Sequence, residues 1–173
     1  MRADTDTHPV ATLLKQLAGS LNSTLTAFEG TTHRIPRVFT EYTRVRATYH
    51  EIQAMIFTIN DKAQEKPKHA PPELKSWLTR MRLRAIAAFA KISLEFFRNP
   101  PLLLVQALGA YEILDHERHA FTAVLRDYDN MLLEAAVDDK TADELDRVRT
   151  YIEEVVQLLD KLLHNAPPQL RTF

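Results

Sequence analysis

The residues with the most chemical potential form one short run, Asp115-His116-Glu117-Arg118-His119. On a helix, Asp115 and His119 share one face and Glu112 and His116 share another. Each pair could therefore supply two metal ligands. Bundle proteins that bind metals through carboxylates need inward Glu-x-x-His pairs on two helices, and this sequence has no such pair. We predict no metal site and interpret these side chains as solvated or hydrogen-bonded.

Other catalytic signatures are absent from the sequence. It has no cysteine, which excludes disulfides, thiolate nucleophiles and cysteine-bound zinc. No Gly-rich phosphate loop, Gly-x-Ser-x-Gly elbow or His-Glu-x-x-His motif occurs. We therefore predict that the protein has no catalytic residue, is not an enzyme and uses no cofactor.

Trp77 and Arg80 lie one helical turn apart, and Trp77 is the only tryptophan in the chain. One interpretation is a core tryptophan over which an arginine extends toward solvent. The other is a flat apolar platform beside a cation, which suits the headgroup of an amphiphile. The pattern alone leaves both interpretations open.

Helices must position all of these residues, because apolar side chains recur every three or four positions along most of the chain. The spacing predicts helices over residues 10–28, 36–63, 73–98, 102–136 and 143–163. Pro36 suits a first helical turn, Gly30 suits a helix end, and Thr141 with Glu144 forms a capping box. The third helix is apolar on two sides, so we predict that it is central or lines a cavity.

The composition agrees with an all-α fold. A chain of 173 residues can bury a core, and 45% apolar with 26% charged residues is typical of globular proteins. We predict a single helical domain over 1–173, with its core from about residue 10 to 165 and five or more helices. The net charge of −1 gives no reason to expect nucleic acid as a partner. No segment has the pattern of a signal peptide or membrane span, so we predict a cytoplasmic protein.

Three segments resemble the glycolipid transfer protein superfamily. Trp77-Leu78-Thr79-Arg80 is similar to the Trp-Leu-x-Arg helix of that family. Ala110-Tyr111-Glu112, followed seven residues later by His119, is similar to its Ala-Tyr-x helix with a downstream binding-site histidine. Asn99-Pro100-Pro101-Leu102 and the closing helix follow in the expected order. The likeness covers about residues 52–163.

The resemblance implies a fold and a binding site. The fold is a two-layer helical sandwich whose layers part to admit the chains of a sphingolipid. In the site, Trp77 would stack on the headgroup, Arg80 would support the polar site, and His119 would hydrogen-bond the ceramide amide. A buried amide needs such a partner, because leaving it unpaired costs a few kcal/mol.

The second helix departs from the pattern of the family. The family has an Asp followed about one turn later by an Asn or a basic residue, whereas the nearest residues here are Glu41 and Arg44. We expect these two to substitute in the polar site. Together with Arg80 and Arg84, Arg44 makes the site rich in arginine, which suits a phosphate headgroup better than a neutral sugar.

The remaining site prediction concerns the lipid chains. The resemblance implies a tunnel of apolar side chains, in which each buried methylene contributes about 0.8 kcal/mol. The residues expected to line it are Phe39, Phe89, Ile92, Leu104, Leu108 and Phe121.

Two functions follow from these observations. The first is a soluble lipid-binding or transfer protein for a sphingolipid or phosphorylated sphingolipid, peripheral to membranes and touching them transiently. The alternative is a helical interaction or scaffold module that binds a protein partner or a second copy of itself and no lipid. The long apolar stripes would serve that second role equally well.

Overall fold

The computed structural model describes residues 9–134 and 139–167, and every regular element in these ranges is helical. This confirms the predicted all-α class. A short 3-10 helix, Pro67–His69, lies in the proline-rich linker. The α-helices are α1 (Pro9–Gly30), α2 (Phe39–Glu65), α3 (Leu74–Arg98), α4 (Leu102–Gln106), α5 (Ala110–Glu134) and α6 (Asp139–Asn165). None of the described helices is both long and apolar enough to cross a bilayer.

Helix α3 is the centre of the bundle. It packs against α1 and α2, which also pack against each other, and on another side against α6. Helix α5 packs mainly on α6 and more lightly on α3, while α4 lies beside α5. The two apolar sides of α3 explain this position, because each needs a neighbouring helix to cover it.

Aromatic side chains fill the space between α2, α3 and α5. The ring of Tyr42 stacks on Phe96 with centroids 4.6 Å apart. Phe89 stacks on Tyr49 at 4.4 Å and on Phe121 at 5.1 Å. Offset stacking at such distances stabilises each pair beyond the area it buries. The aromatic core therefore fixes the spacing of these helices.

The predicted single helix over residues 102–136 is wrong, because the chain turns between α4 and α5. Ala107 is extended, with φ −73° and ψ 152°, and Gly109 has a φ of +86°. Leu104, Ala110 and Leu114 are nevertheless all buried. The apolar spacing therefore continues across the turn, and spacing alone cannot show that the backbone changes direction there.

Three predicted helix ends also differ from the structure. Helix α2 begins at Phe39, after the extended residue Val38, so Pro36 lies in the loop rather than in the first turn. Gly30 is the last residue of α1 but lacks the positive φ of a glycine cap. Helix α6 begins at Asp139, so Thr141 is not its N-cap residue. The side chains of the predicted capping box lie outside the described residues.

Candidate ligand groove

An open groove of about 440 Å³ lies where α2, α3 and α5 meet. This volume falls within the range of small-molecule sites in proteins, about 300–1,000 Å³. We call it the α2–α3–α5 groove. It is lined by Gln53, Ile56, Phe57 and Asn60 of α2, by Lys75, Leu78, Thr79 and Arg82 of α3, and by Met131 of α5.

The floor of the groove is apolar. Ile56, Leu78 and Met131 are buried side chains of the core, so the groove exposes the edge of the core itself. Phe57 also lines the groove and is 71% exposed, which is unusual for a phenylalanine. An apolar ligand chain in the groove would cover these surfaces and gain from leaving water.

The polar side chains of the groove include two cations and no acid. Lys75 is exposed, and within the described residues no ion pair engages it. The Arg82 guanidinium lies 3.5 Å from the Asp127 carboxylate, and both side chains are more than a third exposed. The attraction between the two charges of an exposed pair at that distance is weak. The groove is therefore suited to a ligand with a negative group.

Gln53 adds an unpaired hydrogen-bond donor to the groove. Its Nε2 atom is buried and makes no hydrogen bond with the protein, the one such side-chain atom found in the described ranges. A buried amide without a partner costs roughly 1–3 kcal/mol. Because Gln53 also lines the groove, an acceptor oxygen of a ligand bound there could accept a hydrogen bond from this Nε2 atom.

None of the predicted headgroup residues lines this groove. At 100° per residue, Trp77, Arg80 and Arg84 lie on the face of α3 opposite to Lys75 and Arg82. Trp77 is half-buried against the core, and Arg80 is exposed. Both Nε and Nη2 of Arg84 donate to the carboxylate of Glu29 on α1, at 2.8 and 2.6 Å. This pair raises the pKa of Arg84 through the hydrogen bond, opposed by desolvation.

The other predicted headgroup residues lie apart from one another on the surface. The His119 side chain is 67% exposed, and its Nδ1 lies 2.8 Å from the Asp115 carbonyl oxygen. Glu41 accepts a hydrogen bond from the backbone N–H of Arg37, in the loop before α2, at 2.8 Å. Arg44 is exposed. The structure therefore does not bring these residues together with Trp77 in one pocket.

The side chains predicted to line a tunnel divide into three groups. Phe89, Ile92, Leu104 and Phe121 are buried, and the aromatic ones stack in the core. Phe39 is half-buried and lies 5.9 Å from Tyr42, centroid to centroid. Leu108 is 78% exposed and lines no part of the interior. The buried members of this set thus belong to a packed core, and a lipid chain would have to separate them from their neighbours.

Sequence reasoning missed a polar cluster in the aromatic core. Glu117 is fully buried and forms an ion pair with Arg46, whose side chain is 25% exposed. Tyr42 Oη donates to Glu117 Oε2 at 3.3 Å and lies 3.3 Å from Ser93 Oγ. Desolvation raises the pKa of Tyr42 above its ordinary value, and Ser93 and Arg46 act in the opposite direction. The burial of Glu117 could have been predicted from its spacing, because it falls on the apolar stripe of α5 between Leu114 and Phe121.

A second cleft, of about 230 Å³, leads from the surface to this cluster. We call it the Arg46 cleft, and it is lined by Phe39, Arg46, Glu112, Ile113, His116 and Glu117. Desolvation lowers the pKa of nearby His50, and the charges of Arg46 and His116 lower it further. Within the described residues, no group of three His, Cys, Asp or Glu side chains could hold a metal ion.

Comparison of the chain with protein family models, with curated proteins and with solved structures finds no match. The resemblance to the glycolipid transfer protein superfamily, and with it the two-layer sandwich, therefore stays a prediction.

Proposed function

We propose that this protein is a non-enzymatic lipid-binding protein that holds one anionic amphiphile in the α2–α3–α5 groove and carries it between membrane surfaces. One observation carries the proposal. A groove of about 440 Å³ combines an apolar floor, two cations and the unpaired amide of Gln53. Each of these features matches one part of an amphiphile.

The ligand would lie with its chain on Ile56, Leu78 and Met131. Its negative group would lie near Lys75 and Arg82, since a phosphate or carboxylate accepts charge-assisted hydrogen bonds from such cations. An ester or amide oxygen between chain and headgroup would accept from Gln53. No covalent step is involved, because binding and release suffice for transport.

The expected site of the superfamily differs from this groove in position. A ligand held by Trp77, Arg80 and His119 with its chain in the expected tunnel would have to enter between helices that the aromatic core holds together. The groove is already open, so binding there requires no such separation. The two sites share no residue, and one set of variants distinguishes them.

The test is titration calorimetry with dodecyl phosphate below its micelle concentration, with dodecyl maltoside as the uncharged comparison. Thr79→Trp fills the groove and should abolish binding of both. Lys75→Gln combined with Arg82→Gln should weaken dodecyl phosphate about tenfold and leave the maltoside nearly unchanged. Lys91→Gln, an exposed cation elsewhere on α3, is the matched control.

Two outcomes would reject the groove as the site. One is the absence of any binding by the unaltered protein. The other is binding that survives Thr79→Trp but is lost when Trp77 and His119 are replaced by Ala. That second result would show that the ligand binds at the site that the family resemblance implies.

A helical interaction module is the second candidate, and the packed interior favours it. Among the side chains expected to line a tunnel, Phe89 and Phe121 stack on each other at 5.1 Å. A bundle with a filled core can present its surface to a protein partner without any ligand. Sedimentation that shows a mass rising with concentration, together with no uptake of dodecyl phosphate, would support this function instead.

A further inference from the structure

The short helix α4 and the turn that follows it carry three exposed leucines. Leu102, Leu103 and Leu108 are 68%, 82% and 78% exposed, and we call them the leucine corner. Single exposed leucines are ordinary, but three within residues 102–108 concentrate apolar surface on one short segment, which is typical of an interaction surface.

The backbone holds the leucine corner in place. Leu104, between the exposed leucines in sequence, is buried in the core and anchors α4. Two hydrogen bonds close the turn, from the Ala107 N–H to the Leu103 carbonyl at 3.2 Å and from the Ala110 N–H to the Ala107 carbonyl at 3.0 Å. Gly109 supplies the positive φ that the turn requires. The exposed leucines therefore belong to an ordered surface.

A second exposed apolar stretch directly precedes α2, whose first residue lines the Arg46 cleft. Ile35 and Val38, in the loop before α2, are 50% and 46% exposed. The next residue, Phe39, lines the cleft together with Ile113 of α5, which is itself 38% exposed. The cleft therefore lies between α2, which follows this loop in the chain, and the start of α5, which follows the leucine corner.

The loop before α2 also carries two exposed arginines beside its apolar residues. Arg34 and Arg37 alternate with Ile35 and Val38, both are exposed, and within the described ranges no ion pair engages either side chain. The one acidic residue between positions 99 and 113 is Glu112. It lies in the first turn of α5, where the helix dipole favours a negative charge.

We infer that the leucine corner and the Arg34–Val38 loop dock the protein on a membrane surface that carries anionic lipids. The leucines enter the boundary between headgroups and chains, and the arginines remain at the level of the negative headgroups. Leucine is under-represented among the residues that dominate protein–protein binding, which argues against a protein partner. The inference rests on the proposed function, because a lipid carrier must touch a membrane.

The test is flotation of the full chain with phosphatidylcholine vesicles that contain or lack phosphatidylserine. Binding should require phosphatidylserine and should fall as salt rises. Leu103→Glu and Leu108→Glu should each reduce binding about tenfold, since a charge replaces a leucine that enters the membrane. Arg34→Gln and Arg37→Gln should each reduce it about fivefold. Leu13→Glu, at an exposed leucine of α1, is the matched control.

The groove variant Thr79→Trp separates this inference from the proposed function. It should float with vesicles as the unaltered protein does, even though it binds no dodecyl phosphate. Vesicle binding that is indifferent to Leu103→Glu and to the arginine variants would overturn the inference. So would a dimer that Leu103→Glu dissociates, without vesicle binding, because the corner would then belong to a second copy of the chain.

Discussion

Glu117 is a carboxylate in a core made mainly of aromatic rings, and Arg46 is the cation that makes its burial tolerable. Removing water from a charge costs several kcal/mol, which only a partner with good geometry offsets. The two side chains do not share this cost equally. Arg46 is 25% exposed and can reach water, whereas the Glu117 side chain is 1% exposed and cannot.

Replacing Arg46 should therefore destabilise the protein strongly. We expect Arg46→Met to lower the free energy of unfolding by about 3 kcal/mol, because Glu117 remains buried without a cation. The double variant Arg46→Met with Glu117→Leu should recover most of this loss. Arg149→Met, which breaks exposed pairs with Asp129 and Glu153, should cost less than about 1 kcal/mol. Urea unfolding measures all of these, and an equal cost for the two arginines would contradict the assignment.

His50 gives the fold a dependence on pH. Its pKa is lower in the folded protein than in the unfolded chain, so the unfolded chain binds the proton more readily. The contribution of His50 to the free energy of unfolding should be fully present above about pH 6.5 and should decrease as the pH falls below that value. The change should be small, because His50 is largely exposed.

An NMR titration of the imidazole, assigned with His50→Gln, measures this pKa directly. His116→Asn removes one of the positive charges that lower it and should move the His50 midpoint upward. A midpoint at or above the ordinary value for histidine in the unaltered protein would contradict the structure.

At the scale of elements, the turn between α4 and α5 depends on Gly109. Its φ of +86° is strained for any side chain, although a Cβ there would meet nothing closer than 3.9 Å. Gly109→Ala should therefore lower the free energy of unfolding by about 1–2 kcal/mol through the backbone alone. Gly19→Ala, in the middle of α1 with open space around it, should raise it by about 0.5–1 kcal/mol. Thermal unfolding should show a lower melting temperature for Gly109→Ala and a higher one for Gly19→Ala.

The helices themselves could be predicted from the sequence, but the turn between α4 and α5 and the residues that start or cap the helices could not. Apolar spacing located α1, α2, α3 and α6 to within a few residues, because burial of one face imposes that spacing. It failed at residues 107–109, where the apolar pattern continues although the backbone turns. The prediction that Pro36 opens α2 was also wrong, because Val38 is still extended and the helix begins at Phe39.

The groove is a property of the whole molecule, which is why sequence reasoning did not find it. Lys75 and Arg82 look like ordinary solvated cations on α3, and Gln53 looks like an ordinary surface residue of α2. Only the packing of α2, α3 and α5 brings them to one opening. The short motif around Trp77 instead predicted a headgroup site on the opposite face of α3. Glu117 could have been found, because a charge on an apolar stripe is visible in the sequence.

The central position of α3 has a consequence for the order in which the protein can be built during translation. Helices α1, α2 and α3 are consecutive and pack on one another, so they can assemble as soon as they leave the ribosome. The other apolar side of α3 is covered by α6, the last helix described. That side must therefore stay exposed while α4 and α5 are synthesised, and the nascent chain is open to aggregation and to chaperones until α6 has emerged.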